Sequence, residues 1–120
     1  MTKEEMKVRT KEYALRIIKA VQSLPENRVA NVLGSQLLRS GTSVGANYRA
    51  ACRAKSTADF VNKLKIVEEE GDESLFWMEL LIESGVNPHR KLGELMKEGD
   101  EIVTITVAAL KTTRLVNRNS

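Results

Sequence analysis

Residues 56–85 of this 120-residue chain read STADFVNKLKIVEEEGDESLFWMELLIESG, and this segment decides the fold class. Ser56, followed three residues later by Asp59, is a helix N-cap signature, and Gly85 is typical of the position just after a helix end. Between them, apolar and small residues alternate steps of four and three, which is the spacing of one helical face. This pattern predicts a single long helix over residues 57–84. The face consists of Phe60, Leu64, Val67, Gly71, Ser74, Met78 and Leu81.

Apolar stripes of the same kind predict three further helices, over residues 7–23, 26–54 and 88–117. The segment Ser23-Leu24-Pro25-Glu26 has the spacing of a capping box that would open the second helix. Asn87 followed by Pro88 would open the fourth. The β-branched run at 102–107 has strand-like composition, but no partner strand exists, so helix is favoured. Short connections between long helices predict one all-α domain over residues 1–120, an antiparallel up-down-up-down four-helix bundle.

The second predicted helix has a weak middle at residues 39–45, where each glycine costs roughly 1 kcal/mol relative to alanine. A loop is the alternative, and continuous helix is favoured because the apolar stripe keeps its phase. In a hairpin turning near residue 55, Gly41 is predicted to face Gly71. Arg39 is predicted to lie opposite the Asp72-Glu73 pair, where the charges can pair.

Composition excludes several classes of protein. Apolar residues make up 42% and charged residues 29% of the chain, which suits amphipathic helices. The charged start has no apolar signal-peptide core and no stretch is long enough to span a bilayer, so a cytoplasmic protein without membrane contact is expected. The single Cys52 fits a reducing compartment. No phosphate loop, nucleophile elbow or Cys-x-x-Cys pair is present, so we expect no enzyme, no catalytic residue and no cofactor.

Glu69 and Glu73 lie one turn apart on the third helix, a spacing that can hold a metal. His89 is the only histidine, however, and no second carboxylate pair stands on a facing helix. We therefore expect no metal site and favour charge pairing with Arg39, Arg49 or a neighbouring subunit.

The third helix is apolar most of the way round over residues 75–82. Contiguous apolar surface on the outside of a bundle usually marks an interface, so a homo-oligomer is predicted. The alternative is that this helix lies unusually deep within one subunit. The predicted oligomer interface consists of Ile66, Glu69, Glu73, Phe76, Trp77 and Leu80.

Charges in the predicted bundle are sorted by end, although the net charge is only +3. The starts of the first and third helices and the ends of the second and fourth gather twelve basic and four acidic side chains. The basic ones are Lys3, Lys7, Arg9, Lys11, Arg49, Arg53, Lys55, Lys63, Lys65, Lys111, Arg114 and Arg118. The helix dipole explains cations at helix ends but not at helix starts, so a surface for RNA or DNA is predicted. Only Tyr13 and Tyr48 offer rings near this end, which argues against base readout. The predicted contacts are Arg49, Arg53, Lys55, Lys111, Arg114 and Arg118.

Several stretches resemble one bacterial family, the four-helix-bundle 23S rRNA intervening-sequence proteins. They are Ser35–Ser40, Ser43–Ala51, Phe60 with Lys63-Leu64, Glu69-Glu70, Asp72-Glu73 and Trp77–Leu81, and the likeness spans most of the chain. The resemblance implies a pentamer of up-down bundles around a central channel, with no established enzymatic activity. Some members are encoded within ribosomal RNA genes, and related bundles are accessory proteins of reverse transcriptases in retroelements. After Asn47 many members read Ile-Ala-Glu-Gly, whereas this chain has Tyr48–Ala51, so no role of that glutamate can be transferred.

Two functional hypotheses follow from these patterns. The leading one is a non-enzymatic homo-oligomer that contacts RNA or DNA non-specifically through its basic end. The rival is a protein-interaction scaffold or accessory subunit whose protein partner docks on the acidic end or on the third helix.

Overall fold

The structure is a computed structural model that describes residues 1–87 and 90–119. It contains four helices, α1 (Lys3–Gln22), α2 (Arg28–Cys52), α3 (Thr57–Glu83) and α4 (Arg90–Asn119). Within the described ranges there is no strand, and the β-branched run at 102–107 is part of α4. The all-α prediction with four helices is confirmed. The predicted opening of the fourth helix by Pro88 lies outside the described residues, and so does His89.

The first helix begins at Lys3, four residues earlier than predicted, because a capping box precedes it. The Thr2 hydroxyl accepts a hydrogen bond from the Glu5 backbone N–H at 3.1 Å, and the Glu5 carboxylate accepts one from the Thr2 N–H at 3.0 Å. Both bonds satisfy donors that have no partner inside a helix. They also lower the pKa of Glu5, because they stabilise its ionised form.

The predicted capping box at residues 23–26 is wrong. Ser23 has helical backbone angles and closes α1, and its hydroxyl donates to the Ala20 carbonyl at 2.7 Å. An N-cap residue needs extended angles, which Asn27 has (φ −154°, ψ 166°). The Asn27 side chain accepts from the Ala30 N–H at 2.9 Å, so α2 starts at Arg28 rather than at residue 26.

Both predicted ends of the third helix are confirmed. Ser56 has extended angles, and its hydroxyl accepts from the Asp59 N–H at 3.1 Å. Gly85 has φ +82°, a left-handed conformation that glycine adopts without a steric penalty, and it directly follows Ser84, the C-cap of α3. The glycine-containing middle of the second helix, residues 39–45, is helical as predicted.

The helices form an elongated bundle measuring 53 × 21 × 20 Å. α1 packs against α2 and α4, and α3 packs against the same two helices. Tyr13 crosses the interior, and its hydroxyl shares a buried hydrogen bond of 2.9 Å with the hydroxyl of Ser74. Among the described residues, every buried polar side chain has a hydrogen-bond partner. The centre of the core is formed by large apolar side chains with at most 1% exposure: Tyr13, Ile17, Leu37, Val44, Leu64, Val67, Met78, Leu81 and Ile102.

The prediction that Gly41 faces Gly71 is wrong. A Cβ at position 41 would lie 2.7 Å from Cγ1 of Ile17 on α1, and a Cβ at position 71 would lie 2.7 Å from Cγ2 of Val103 on α4. Each glycine therefore makes room for a branched side chain of another helix. Helical periodicity locates small residues on a face, but it does not identify the side chains that fill the space beside them.

Most of the apolar surface of the third helix is covered within the subunit. Met78 is fully buried, and Leu75, Trp77 and Ile82 are half-buried and pack against the core. This covering agrees with the alternative that the helix lies deep in one subunit. Phe76 is the exception in this segment, because 49% of its surface remains exposed.

Candidate nucleic-acid interface

Basic side chains of α1 and α2 converge on one groove between these helices. Lys7 and Lys11 line it from α1, while Arg49 and Arg53 line it from the end of α2. The groove encloses about 410 Å³. Its remaining lining consists of the small, apolar or neutral residues Val8, Ala14, Thr42, Gly45, Ala46 and Cys52, with no carboxylate among them.

The convergence follows from helical spacing and from a close helix crossing. Lys7 and Lys11 are four residues apart on α1, so their side chains lie on the same face. A Cβ at position 45 of α2 would lie 3.1 Å from the backbone carbonyl oxygen of Thr10. Gly45 therefore allows the two backbones to approach closely, which brings the cations of both helices to one groove.

The cations at the ends of α2 and α4 have no carboxylate partner within the described chain, in contrast to Arg9 and Arg39. Arg49, Arg53 and Lys55 are exposed, and none of them forms an ion pair with a described residue. Lys111 and Arg114, near the end of α4, are likewise exposed and unpaired within the described chain. Exposed, unpaired cations attract polyanions, since no internal carboxylate neutralises them. The side chain of Arg118 lies outside the described part of the structure.

Arg9, which the sequence assigned to the basic end, is neutralised by α4. Its Nε and Nη2 donate to the two carboxylate oxygens of Glu98, both at 2.7 Å, and Nη2 also contacts Glu101. These contacts raise the pKa of Arg9 and lower that of Glu98, because each stabilises the charged form of the other. Arg9 is therefore a link between α1 and α4 and does not contribute a free charge.

The two carboxylates singled out on the third helix have different surroundings. Glu73 accepts hydrogen bonds from Arg39 and, at 3.2 Å, from the Trp77 indole N–H. Arg39 also contacts Glu70 at 3.1 Å, so the predicted pairing of Arg39 with Glu73 is confirmed and Glu70 is an additional partner. Glu69 is exposed and has no ion pair within the described residues.

The other predicted interface residues surround the Arg39–Glu73 pair. Phe76 packs edge-on against Trp77, with ring centroids 5.2 Å apart. Ile66 and Leu80 are half-buried. Of the predicted set, Phe76 and Glu69 are therefore the side chains most available for a contact outside the subunit.

Neither tyrosine of the basic end offers a surface for base stacking. Tyr13 is 1% exposed and Tyr48 7% exposed. Burial disfavours the ionised phenolate and raises the pKa of each to about 12.

Lys3 lies over the ring of Phe60, 4.9 Å from its centroid, which joins the start of α1 to the start of α3.

The described residues contain no cluster of three or more side chains that could hold a metal ion. None of the described helices combines the length and apolar character needed to cross a membrane.

Sequence reasoning listed Lys7 and Lys11 among the basic residues of this end but did not assign them to a site. Nor did it assign Cys52 to this site, although Cys52 both packs against the core and lines the groove. The i, i+4 spacing of the two lysines was a usable signal. The groove itself depends on how closely α1 and α2 approach, which periodicity does not provide.

Comparisons with known proteins agree with the fold. A crystal structure of a protein with unknown function from the S23 ribosomal protein family of Bacteroides thetaiotaomicron VPI-5482 superimposes with a TM-score of 0.83 at 36% sequence identity. The match covers 88% of this chain and 98% of that one. A comparison with curated proteins gives no match. Residues 3–108 match the family model described as 23S rRNA-intervening sequence protein. The chain belongs to the 23S rRNA-intervening sequence protein family.

Proposed function

We propose that this protein is a non-enzymatic, homo-oligomeric helical bundle that binds RNA or DNA non-specifically through its basic end. The observation that carries the proposal is the set of exposed cations without carboxylate partners at the ends of α2 and α4. Phosphate contacts by lysine and arginine provide affinity without reading sequence. The burial of both tyrosines fits binding that does not depend on base stacking.

The proposal includes helices that alternate in direction, so that the end of α4 joins the basic end. Gly71 of α3 adjoins Val103 of α4, whereas Leu75, four residues further along α3, adjoins Gly99, four residues earlier in α4. Continued over three further turns, this register brings Arg114 level with the first turn of α3. The groove cations and those of α4 would then form one basic surface.

Neutralising the end of α4 tests this proposal. We expect the triple variant Lys111→Gln, Arg114→Gln, Arg118→Gln to bind RNA more weakly and with a salt dependence whose logarithmic slope is smaller by about 2. Fluorescence anisotropy with a labelled RNA over a salt series measures both quantities. The matched control is Arg28→Gln, Lys91→Gln, Lys97→Gln, which removes three exposed charges outside this end. Absence of binding at low salt, or equal slopes for the two triple variants, would rule the proposal out.

Homo-oligomerisation is supported by Phe76, a large apolar side chain with half its surface exposed. The ring of five that the family resemblance implies is part of the proposal. An assembly of several copies would repeat the basic end and raise the effective concentration of phosphate-binding groups.

A protein-interaction scaffold is the second candidate, and the outer face of α3 favours it. Phe76 lies on a helical stripe with four exposed carboxylates that have no ion pair among the described residues. Such a surface suits a partner with a basic rim around an apolar pocket. A pull-down that recovers one protein, survives nuclease treatment and is lost in Phe76→Asp would favour this candidate. The carboxylates are Glu69, Asp72, Glu79 and Glu83.

A further inference from the structure

We propose that the groove between α1 and α2 is the site that receives the nucleic acid, and that it takes a single strand rather than a duplex. This inference rests on the proposed function and deepens it by naming the site and the kind of strand. A backbone phosphate would lie between the Lys7–Lys11 pair of α1 and the Arg49–Arg53 pair of α2.

The charge of the groove is the first argument. Four cations line it from two sides and no carboxylate lines it. Glu4 reaches Lys7 at 2.7 Å, but the Glu4 side chain is 82% exposed, so this pair is a weak surface contact. Lys11, Arg49 and Arg53 have no ion pair within the described chain. A phosphate in the groove would meet cations on both sides, where charge-assisted hydrogen bonds can form.

The size and floor of the groove are the second argument. Its volume of about 410 Å³ is near the lower end of the range for small-molecule pockets, roughly 300–1,000 Å³, and leaves room for about one nucleotide unit. Val8, Ala14 and Ala46 give the groove an apolar surface that an unpaired sugar and base can contact. A duplex keeps its bases paired inside a stiff convex cylinder, so it can touch the rim but cannot place a nucleotide in the groove.

Binding in this groove would tolerate many sequences. None of the described residues that line it is aromatic, so there is no ring on which a particular base could stack. Affinity would come mainly from the four cations and would fall steeply with salt.

Cys52 provides a direct reporter of occupancy. It is the only cysteine of the chain, it is partly accessible, and it lines the groove. In the full-length protein at low salt, we expect saturating twelve-nucleotide oligouridine to slow alkylation of Cys52 by N-ethylmaleimide about tenfold, measured by intact mass. The same concentration of a twelve-base-pair RNA duplex should slow it much less. Cys52→Ser, which cannot be alkylated, shows that the mass increase reports this thiol.

Two variant pairs separate the groove from general charge. Lys11→Gln with Arg49→Gln should weaken oligouridine binding about tenfold and lower the logarithmic salt slope by about 1, whereas Arg28→Gln with Lys97→Gln should not lower the slope comparably. Ala46→Leu narrows the groove without changing charge and should weaken binding severalfold. Its matched control is Ala108→Leu, which places the same side chain at an exposed position of α4.

The outcomes distinguish this inference from the proposed function. If oligouridine binds but leaves alkylation of Cys52 unchanged, the groove is not the site, although the protein still binds nucleic acid. Equal protection by the duplex would overturn the choice of a single strand. If Cys52 becomes protected from alkylation when the protein concentration rises without nucleic acid, a second copy fills the groove. That result would also overturn the inference. Absence of any oligouridine binding at low salt would reject both proposals.

Discussion

Arg9 shows how a single side chain changes role once its surroundings are known. In the sequence it is one of several cations near the start of the chain, with no neighbouring acid that distinguishes it from Lys7 or Lys11. In the structure its guanidinium holds both oxygens of Glu98, and this bidentate geometry joins two helices distant in sequence. Since the Arg9 side chain is 22% exposed and that of Glu98 20% exposed, the pair is better shielded from water than an ordinary surface pair.

The lowered pKa of Glu98 predicts how the protein responds to acid. A carboxylate whose pKa is lower in the folded state than in the unfolded chain adds stability above its unfolded pKa, and this contribution is lost as the pH falls through its folded pKa. We therefore expect Glu98→Gln to reduce the free energy of unfolding at neutral pH and to flatten its decrease towards low pH. Urea unfolding between about pH 3 and 7 measures this effect. Glu94→Gln, on the same helix and without an ion pair among the described residues, is the control, and identical pH profiles for both variants would contradict the prediction.

Among the helices, α2 shows best how close packing overrides intrinsic helix propensity. Glycine is a poor helix former, yet α2 contains Gly34, Gly41 and Gly45. A Cβ at any of the three would lie within 3.1 Å of an atom from α1 or from the loop after it. These glycines weaken the isolated helix and allow α1 to pack closely along it, and Gly45 also lines the basic groove.

Glycine-to-alanine substitutions should therefore have opposite effects at different positions. Gly41→Ala should lower the free energy of unfolding by about 1–3 kcal/mol, because its Cβ collides with fully buried Ile17. Gly93→Ala in α4 should raise it by about 0.5–1 kcal/mol, because no atom lies within 4 Å of a Cβ there and alanine is the better helix former. Chemical denaturation measures both values. A clash with Ile17 further predicts that Gly41→Ala and Ile17→Ala together cost less than the sum of the single changes; strict additivity would argue against it.

Over the whole molecule, the described surface has two features of opposite charge. Cations line the α1–α2 groove and no carboxylate of the described chain lines it, whereas the outer face of α3 carries exposed carboxylates around Phe76. In the proposed function, the first surface would contact a polyanion and the second would contact another protein chain.

Assembly is predicted to depend on Phe76. Replacing Phe76 with aspartate places a charge in the proposed contact and should shift the particle towards the 13.4-kDa mass of one chain, with helicity retained because the residue is already half exposed. Light scattering coupled to gel filtration, with circular dichroism, measures both. Adding Leu80→Asp should give the same shift. Leu115→Asp removes another exposed apolar side chain, on α4, and should leave the mass unchanged. An assembly that persists in Phe76→Asp and in the double variant would contradict the interface.

Local sequence patterns were enough to predict the four helices and both ends of α3. Apolar periodicity and capping residues act within a few turns of chain, so they can be read without knowing what packs against what. The same local logic misplaced the start of α2, since Ser23 and Asn27 are both suitable N-cap residues and only backbone angles distinguish them. It identified Arg49 and Arg53 as nucleic-acid contacts, but it did not identify Lys7 and Lys11 or the groove that the four cations line.

The packing of the helices, in contrast, determines which charges remain free and which side chains the glycines contact. Arg9 is neutralised by residues about 90 positions away, and Gly41 accommodates Ile17 rather than Gly71. Both outcomes depend on the rotation and separation of packed helices, to which every side chain of an interface contributes at once. A periodic pattern gives the face on which a residue lies, whereas its partner is determined only when the faces come together.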